Sequence, residues 1–100
     1  MENQIEIETS VGKWVIVRPK AGTRNRALEK AESPGGGIRT LIFLRELLPR
    51  CINRRPENFD QDVPIEQVLD DLETFDYDKL LGGMSKLLNQ NQDTGDEKKN

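Results

Sequence analysis

The feature that most constrains this sequence is a dense apolar run at residues 38–52, which reads I-R-T-L-I-F-L-R-E-L-L-P-R-C-I. Its apolar side chains occupy more than one side of a helix, so a helix formed here needs cover from several directions. The run is too short to cross a bilayer, and Arg39, Arg45 and Glu46 interrupt it. The sequence therefore predicts a core helix, and any face that it leaves uncovered is the best candidate for a binding surface.

The length of 100 residues limits the chain to one domain with a modest core. Apolar residues make up 34% of the chain and charged residues 33%, which favours a surface that is completed by assembly. We predict an α+β fold that is mostly helical, with one domain at 1–88 and a disordered tail at 89–100, where no apolar residue occurs. The predicted elements are a β hairpin at 5–18 and helices at 23–32, 38–53, 64–73 and 76–89.

The hairpin prediction comes from alternation near the N-terminus. The sequence I-E-I-E at residues 5–8 is followed by T-S-V-G at 9–12, which favours a turn, and by W-V-I-V at 14–17, which is rich in strand-favouring side chains. Because strand side chains alternate, Trp14 and Ile16 are expected on one face. Two strands alone are marginally stable, so the hairpin is expected to pack on the helices or to pair with the sheet edge of another chain.

Turn and capping residues predict the ends of the first two helices. Thr23 is the expected N-cap of a surface helix, and the triple glycine at 35–37 is expected to be a flexible joint. Pro49 removes a backbone donor, so the central helix is expected to bend or stop near Leu48. The segment 53–63 reads as a polar connector whose only large apolar anchor is Phe59.

Two amphipathic helices are predicted after this connector. Pro64 suits a first turn, and apolar residues then follow at i, i+3, i+4 and i+7. Thr74 or Asp76 is expected to cap the last helix. Gly82 and Gly83 lie inside that helix at a cost of about 1 kcal/mol each relative to alanine, which indicates either that a neighbouring backbone approaches closely or that the helix hinges.

Charge is segregated along the chain. Residues 13–55 contain eleven basic and three acidic residues, a net charge of +8, whereas residues 56–81 contain nine acidic residues and one lysine, a net charge of −8. These halves can neutralise each other within one molecule or between neighbouring molecules. Both arrangements are compatible with the sequence.

The sequence offers no catalytic, metal-binding or cofactor-binding motif. It contains no histidine, so Cys51 has no histidine base and a buried, reduced thiol is expected there. The pairs Asp60 with Asp62 and Asp76 with Asp78 lack a calcium-loop pattern, and helix capping explains them better. The glycines before the central helix lack the spacing and lysine of a phosphate-binding loop. The chain is therefore predicted to be a non-enzyme that needs no metal or cofactor.

Nucleic acid and membrane are not the expected partners. The arginines of the basic half could contact phosphates, but the sequence pI near 5.0, the adjacent acidic segment and the scarcity of aromatic residues oppose a nucleic-acid platform. The acidic N-terminus has neither the basic start nor the apolar block of a signal peptide. A soluble, cytoplasmic protein is expected, and a small nucleic-acid-binding regulator stays an alternative.

Three stretches resemble the tail assembly chaperones of long-tailed phages and related prophages. They are V-I-V-R-P-K-A-G-T-R-N-R-A-L-E-K-A-E, F-L-R-E-L-L-P-R-C-I and V-P-I-E-Q-V-L-D-D-L-E-T-F-D-Y-D-K-L-L, of which L-E-T-F-D-Y-D-K-L-L is the most similar. The resemblance implies a helical binding protein, in the host cytoplasm, that coats the tape-measure protein and recruits tail-tube subunits. In several such phages a frameshift appends a second domain, and this chain would correspond to the short form.

The expected function is thus a non-enzymatic assembly factor that binds proteins and associates with itself. A structural subunit of a virion or other assembly would need the same surface features and is a further alternative. The predicted partner-binding residues are the apolar and basic side chains Leu41, Phe43, Leu44, Leu48, Leu80, Leu81, Met84, Leu87, Arg24 and Arg26.

Overall fold

One antiparallel sheet and four helices make up residues 3–97, which the computed structural model describes, with side chains described for residues 3–89. In chain order the elements are β1 (Gln4–Thr9), β2 (Gly12–Val17), α1 (Ala21–Ala31), α2 (Thr40–Cys51), β3 (Ile52–Arg54), α3 (Ile65–Asp70) and α4 (Thr74–Glu97). The strand order in the sheet is β1-β2-β3. This architecture confirms the predicted α+β fold with an N-terminal hairpin and four helices.

The hairpin has the predicted turn, and its register puts the apolar residues on one face. Ile7 pairs with Trp14 and Ile5 pairs with Ile16, and directly opposed residues project to the same side of a sheet. Thr9 is buried at the turn, where its hydroxyl accepts the Trp14 indole N–H at 2.9 Å. The hydroxyl also donates to the Gly12 carbonyl at 3.1 Å. This network fixes the buried indole against the turn.

The third strand was not predicted. Of the two predicted effects of Pro49, a bend or a stop near Leu48, the stop is wrong, and the helix ends at Cys51 instead of the predicted residue 53. Pro49 lies inside the last turn of α2, which continues to Cys51 before the backbone becomes extended at Ile52. A proline this close to a helix C-terminus removes only one hydrogen bond, the one to the Arg45 carbonyl. The chain then pairs directly with the free edge of β2, with Ile16 opposite Ile52.

The connector after β3 is held by backbone and aromatic contacts. Arg55 Nη1 donates to the carbonyls of Asp60 at 3.1 Å and Val63 at 2.7 Å. The Phe59 ring packs against the Trp14 indole with centroids 5.7 Å apart. Phe59 is therefore an anchor, as the sequence predicts, and the connector leads the chain from the sheet to α3.

The core is centred on α2, which contacts α1, α3, α4 and β2. Leu47 and Leu48 are fully buried there, against the β-sheet face of Trp14 and Ile16 and against α4. The fully buried residues of α4 are Leu80, Met84 and Leu87. Burying a side chain of this size is worth about 1.5–3 kcal/mol. The cover that the apolar run requires thus comes from the sheet on one side and from α4 on another.

Several helix boundaries differ from the prediction because backbone groups set them. Helix α1 begins at Ala21, since Lys20 is the N-cap residue and its carbonyl accepts the Arg24 N–H at 2.9 Å. Thr23 consequently lies inside the first turn and is not the cap. Helix α2 begins at Thr40 instead of residue 38, because Ile38 is held in an extended bridge to Glu32.

The last two helices also shift. Helix α3 ends at Asp70, three residues before the predicted end, and Pro64 is its N-cap. Helix α4 begins at Thr74 and is continuous to Glu97, past residue 89 where the polar tail is predicted to begin. The side chains of that tail and the backbone of 98–100 lie outside the described residues, so its disorder stays a prediction. Among the described helices, none combines the length and the apolar character needed to cross a membrane.

The two glycines inside α4 face different surroundings. A Cβ at Gly83 would overlap Ile7 Cδ1 and would lie 2.8 Å from Ile7 Cγ1, whereas a Cβ at Gly82 would meet nothing within 4 Å. The helix continues through both residues. Gly83 has a close neighbour, but this neighbour is the Ile7 side chain of β1 and not the predicted backbone.

We expect Gly82→Ala and Gly83→Ala to change stability in opposite directions. Gly82→Ala should raise the free energy of unfolding by about 0.5–1 kcal/mol through helix propensity. Gly83→Ala gains the same propensity but overpacks Ile7, which costs about 1–3 kcal/mol, so its net effect should be destabilising. Urea denaturation followed by Trp14 fluorescence measures both effects.

A second substitution separates overpacking from any general defect of the Gly83 variant. Ile7→Val removes the Cδ1 atom that the new methyl group would overlap. Combined with Ile7→Val, the change Gly83→Ala should cost less than it does alone. Equal costs in the two backgrounds would show that contact with Ile7 does not require glycine at this position.

Candidate protein-binding groove

An open groove of about 520 Å³ runs between α2, α3 and α4. We call it the α2–α4 groove, and its lining residues are Leu41, Arg45, Leu69, Asp70, Leu72, Thr74, Tyr77, Asp78 and Leu81. Leu41 and Arg45 are one turn apart on α2, and the four residues of α4 share one face through spacings of three and four. The groove is therefore walled by two helix faces and by the C-terminal end of α3.

The groove exists because α3 and α4 are joined by a short connection. Val68 and Leu69 are buried in the core, but Leu72 follows α3 in the break and is only partly buried. Leu41 stands on the opposite edge with half of its surface exposed, 50%. The remaining apolar positions of α2 are buried or half-buried, so Leu41 is the main exposed apolar side chain of this helix.

The groove has a charged rim of mixed sign. Arg45 lies on the α2 side, and Asp70 and Asp78 lie on the α3 and α4 sides. Burial raises the pKa of the Tyr77 hydroxyl, Arg45 lowers it and the two carboxylates raise it further. The three charges thus act on one hydroxyl in the groove.

The segregated charge is not neutralised by direct ion pairs between the two halves. In the range where side chains are described, the ion pairs are Lys13 with Glu6 at 3.6 Å and Lys30 with Glu46 at 3.4 Å. Neither pair joins residues 13–55 to residues 56–81. The exposed carboxylates around α3, which are Glu66, Asp70, Asp71 and Glu73, therefore make no direct ion pair among the described side chains.

The structure corrects the predicted partner-binding surface. Leu48, Leu80, Met84 and Leu87 are fully buried in the core, so they present no face to a partner. Leu44 is also buried, with an exposed fraction of 9%. Leu81 is 8% exposed, but it lines the α2–α4 groove. These residues were predicted from the helical spacing of apolar side chains. That spacing identifies the buried face of a helix, but it does not identify which part of the helix surface remains exposed to solvent.

Four predicted residues do lie at the surface. Leu41 is half exposed, Phe43 is partly buried, and Arg24 and Arg26 are exposed on α1. Of these four surface residues, only Leu41 lines the α2–α4 groove. Phe43 lines a smaller cavity of about 310 Å³ between α1, α2 and α4, where Leu28, Leu44 and Leu88 are among the other lining residues.

Seven groove residues are missing from the predicted set: Arg45, Leu69, Asp70, Leu72, Thr74, Tyr77 and Asp78. Tyr77 belongs to the apolar period of the last helix, which is the only signal in the sequence that points to it. The sequence does not identify the charged groove residues, because charged side chains on an amphipathic helix usually lie on its solvent-exposed face. Their convergence depends on how α2 crosses α4.

Phe75 is more exposed than Leu41 but lies outside the groove. Its exposed fraction is 69%, and Lys79 Nζ sits 4.9 Å from the centroid of its ring. The ring is on the outer face of α4, one residue away from the groove residue Thr74. Phe75 therefore serves as a matched control for substitutions at Leu41.

The aspartate pairs have structural contacts. Asp60 Oδ1 accepts the Asp62 backbone N–H at 2.9 Å, which closes a local turn. Asp76 is 1% exposed in the first turn of α4, where Oδ1 accepts the Ser10 backbone N–H at 3.1 Å and Oδ2 accepts the Ser10 hydroxyl. The described residues contain no group of three or more acidic, cysteine or histidine side chains arranged to hold a metal ion.

Cys51 is free and buried, as the sequence predicts. Desolvation by burial raises the pKa of its thiol to about 11. Because the thiolate is the nucleophile, the buried thiol stays protonated and unreactive at neutral pH. At the end of α2, Cys51 therefore acts as a small buried residue of the core.

We expect the contact between Ser10 and Asp76 to make stability depend on acid pH. The hydrogen bonds from the Ser10 hydroxyl and backbone N–H lower the pKa of Asp76, burial opposes this and Lys79 adds to it. A carboxyl whose pKa is lower in the folded state stabilises the protein above its unfolded-state pKa of about 3.9. That stabilisation should be lost as the pH falls through the folded-state pKa.

The measurement is the free energy of unfolding between neutral pH and about pH 2, a range that brackets ordinary carboxyl pKa values. Ser10→Ala should lower stability at neutral pH and flatten the acid dependence. Asp71→Asn is the control, because the Asp71 carboxylate makes no hydrogen bond or ion pair among the described residues. An acid profile for Ser10→Ala that matches the unsubstituted protein would contradict this assignment.

Comparisons with protein-family models, with curated proteins and with solved structures find no match for this chain. Its function is therefore to be inferred from the groove and its charges, together with the sequence resemblance.

Proposed function

We propose that this protein is a non-enzymatic assembly factor that binds a partner protein through the α2–α4 groove. The observation that carries the proposal is the position of Leu41 at the edge of the groove. Leu41, with half of its surface exposed, lines the same groove as Leu72 and Tyr77, together with the buried leucines Leu69 and Leu81. Binding sites commonly combine such apolar side chains with a few convergent polar groups.

Energetic reasoning supports Leu41 as the anchor of this surface. Interface energy concentrates in a few apolar or aromatic side chains that become fully desolvated on binding. Leu41 still has half of its area to bury, and its neighbours already exclude water from the other half. The open groove of about 520 Å³ has room for a few apolar side chains of a partner segment.

The resemblance to tail assembly chaperones gives this proposal its specific form. In that form the partners are the tape-measure and tail-tube proteins, and binding takes place in the host cytoplasm before the tail polymerises. A chaperone of a long helical protein needs an exposed apolar surface and charges that complement those of its partner. The α2–α4 groove offers the half-exposed Leu41 and a charged rim. A structural subunit would use the same groove but would stay in the finished particle.

We expect Leu41→Asp to weaken partner binding and Phe75→Asp to leave it unchanged. Loss of a central apolar anchor costs about 2 kcal/mol or more, which is roughly a 30-fold loss of affinity. The measurement is co-purification and solubility of candidate tape-measure and tail-tube proteins, chosen from the products of neighbouring genes and each co-expressed with one variant. Circular dichroism of both variants checks that the fold is kept.

Phe75→Asp is a strict control for Leu41→Asp, because Phe75 is the more exposed of the two apolar side chains and lies outside the groove. If Phe75→Asp abolished binding and Leu41→Asp did not, the outer face of α4 would be the binding surface. If neither candidate partner bound the unsubstituted protein, the chaperone form of the proposal would fail. Recovery of the protein from purified particles would favour the structural subunit instead.

A further inference from the structure

We infer that the α2–α4 groove selects a cationic amphipathic helix, with apolar residues on Leu41 and Leu72 and lysine or arginine residues on Asp70 and Asp78. This inference rests on the proposed function, since it names the chemistry of the partner segment. It follows from the placement of acidic residues around the apolar side chains of the groove.

The first step is the charge of the rim. Asp70 and Asp78 are both exposed and flank Tyr77, while Arg45 is the only cation among the residues that line the groove. Beyond the rim, Glu66, Asp71 and Glu73 are also exposed. The groove and its surroundings are therefore negative, although the whole basic half of the chain lies in the same small domain.

The second step is that these carboxylates lack a direct cationic partner. The two ion pairs among the described side chains involve Glu6 and Glu46, which are both outside the acidic segment. Covering Asp70 and Asp78 with an apolar or acidic segment would remove water without supplying a counter-charge. A segment that places a cation beside each carboxylate avoids that cost and is also steered toward the groove.

The third step is the shape of the site. The groove residues of α4 run from Thr74 to Leu81, about two helical turns or roughly 12 Å. The opposite wall is another helix, α2, so the groove suits a third helix lying along both. A partner helix with apolar residues at i, i+3 and i+4 would cover Leu41 and Leu72, and basic residues on its flanks would reach the rim.

The experiment uses two synthetic peptides as probes. Both are amphipathic, about 14 residues long and identical in their leucine positions, near the length at which isolated helices become stable. The polar face of one carries lysine and that of the other carries glutamate. Fluorescence anisotropy of the labelled peptides gives their dissociation constants for the full-length protein.

We expect the lysine peptide to bind at least about tenfold more tightly than the glutamate peptide, a difference of about 1.4 kcal/mol. The preference should shrink between about 0.1 M and about 1 M salt, as the Debye length falls from about 10 Å to about 3 Å. Leu41→Asp should weaken both peptides, because it disrupts the apolar contact. Equal affinity of the two peptides would overturn the charge selection but would leave a protein-binding groove intact.

Substitutions at Asp70 and Asp78, which line the groove, and at the neighbouring Asp71, which does not, test whether the groove itself determines the preference for a basic peptide. Asp70→Lys combined with Asp78→Lys should reverse the preference of the two peptides. Asp71→Lys changes an adjacent exposed carboxylate that does not line the groove, and it should leave the preference in place. If Asp71→Lys reversed the preference as well, the attraction would be general and the inference would be wrong.

Light scattering of the same variants tests a second copy of the chain as the occupant. Helix α1 carries Arg24 and Arg26 on its exposed side, so it is a possible ligand for the groove of another molecule. Two results together would replace the inferred partner with a second copy of the chain. The lysine peptide would fail to bind, and the protein would self-associate in a way that Asp70→Lys combined with Asp78→Lys abolishes. Failure of both peptides without self-association would overturn the inference, and the co-expression experiment would test the proposed function separately.

Discussion

The fold depends on the burial of α2 between the sheet and α4. A helix with apolar residues around most of its surface has no stable arrangement in water until other elements cover it. Here the cover comes from both ends of the chain, since Trp14 and Ile16 belong to the second strand and Leu80, Met84 and Leu87 belong to the last helix. Each of the other elements is too short or too thinly apolar to form a core without α2.

This arrangement also explains where the open surface lies. Helix α3 has only six residues, so it covers α2 over less than two turns. Leu41 lies at the edge of that cover and remains half exposed. The α2–α4 groove is thus a part of the α2 surface that the short helix α3 leaves uncovered, and the acidic residues of the surrounding helices determine its charge.

Local patterns in the sequence predict most of the elements but not how they meet. Alternation predicts the hairpin, and a spacing of three and four predicts α3 and α4, because these periods follow directly from backbone geometry. The strand β3 escapes prediction, since its three residues are too few to show alternation and only the free edge of β2 makes them a strand. The groove residues Arg45, Asp70 and Asp78 escape it for a similar reason: their proximity is set by helix crossing, which no single segment encodes.

The contact between Ser10 and Asp76 has a consequence for the order in which the protein acquires its structure. These residues are 66 positions apart in the chain, and Ile7 and Gly83 join the same two elements at a still greater separation. The first hairpin therefore depends on the last helix, and such long-range contacts form late in folding. During synthesis, residues through Leu87 must leave the ribosome before the core can close around α2. Until then the apolar run is exposed on the nascent chain, where it is at greatest risk of aggregation.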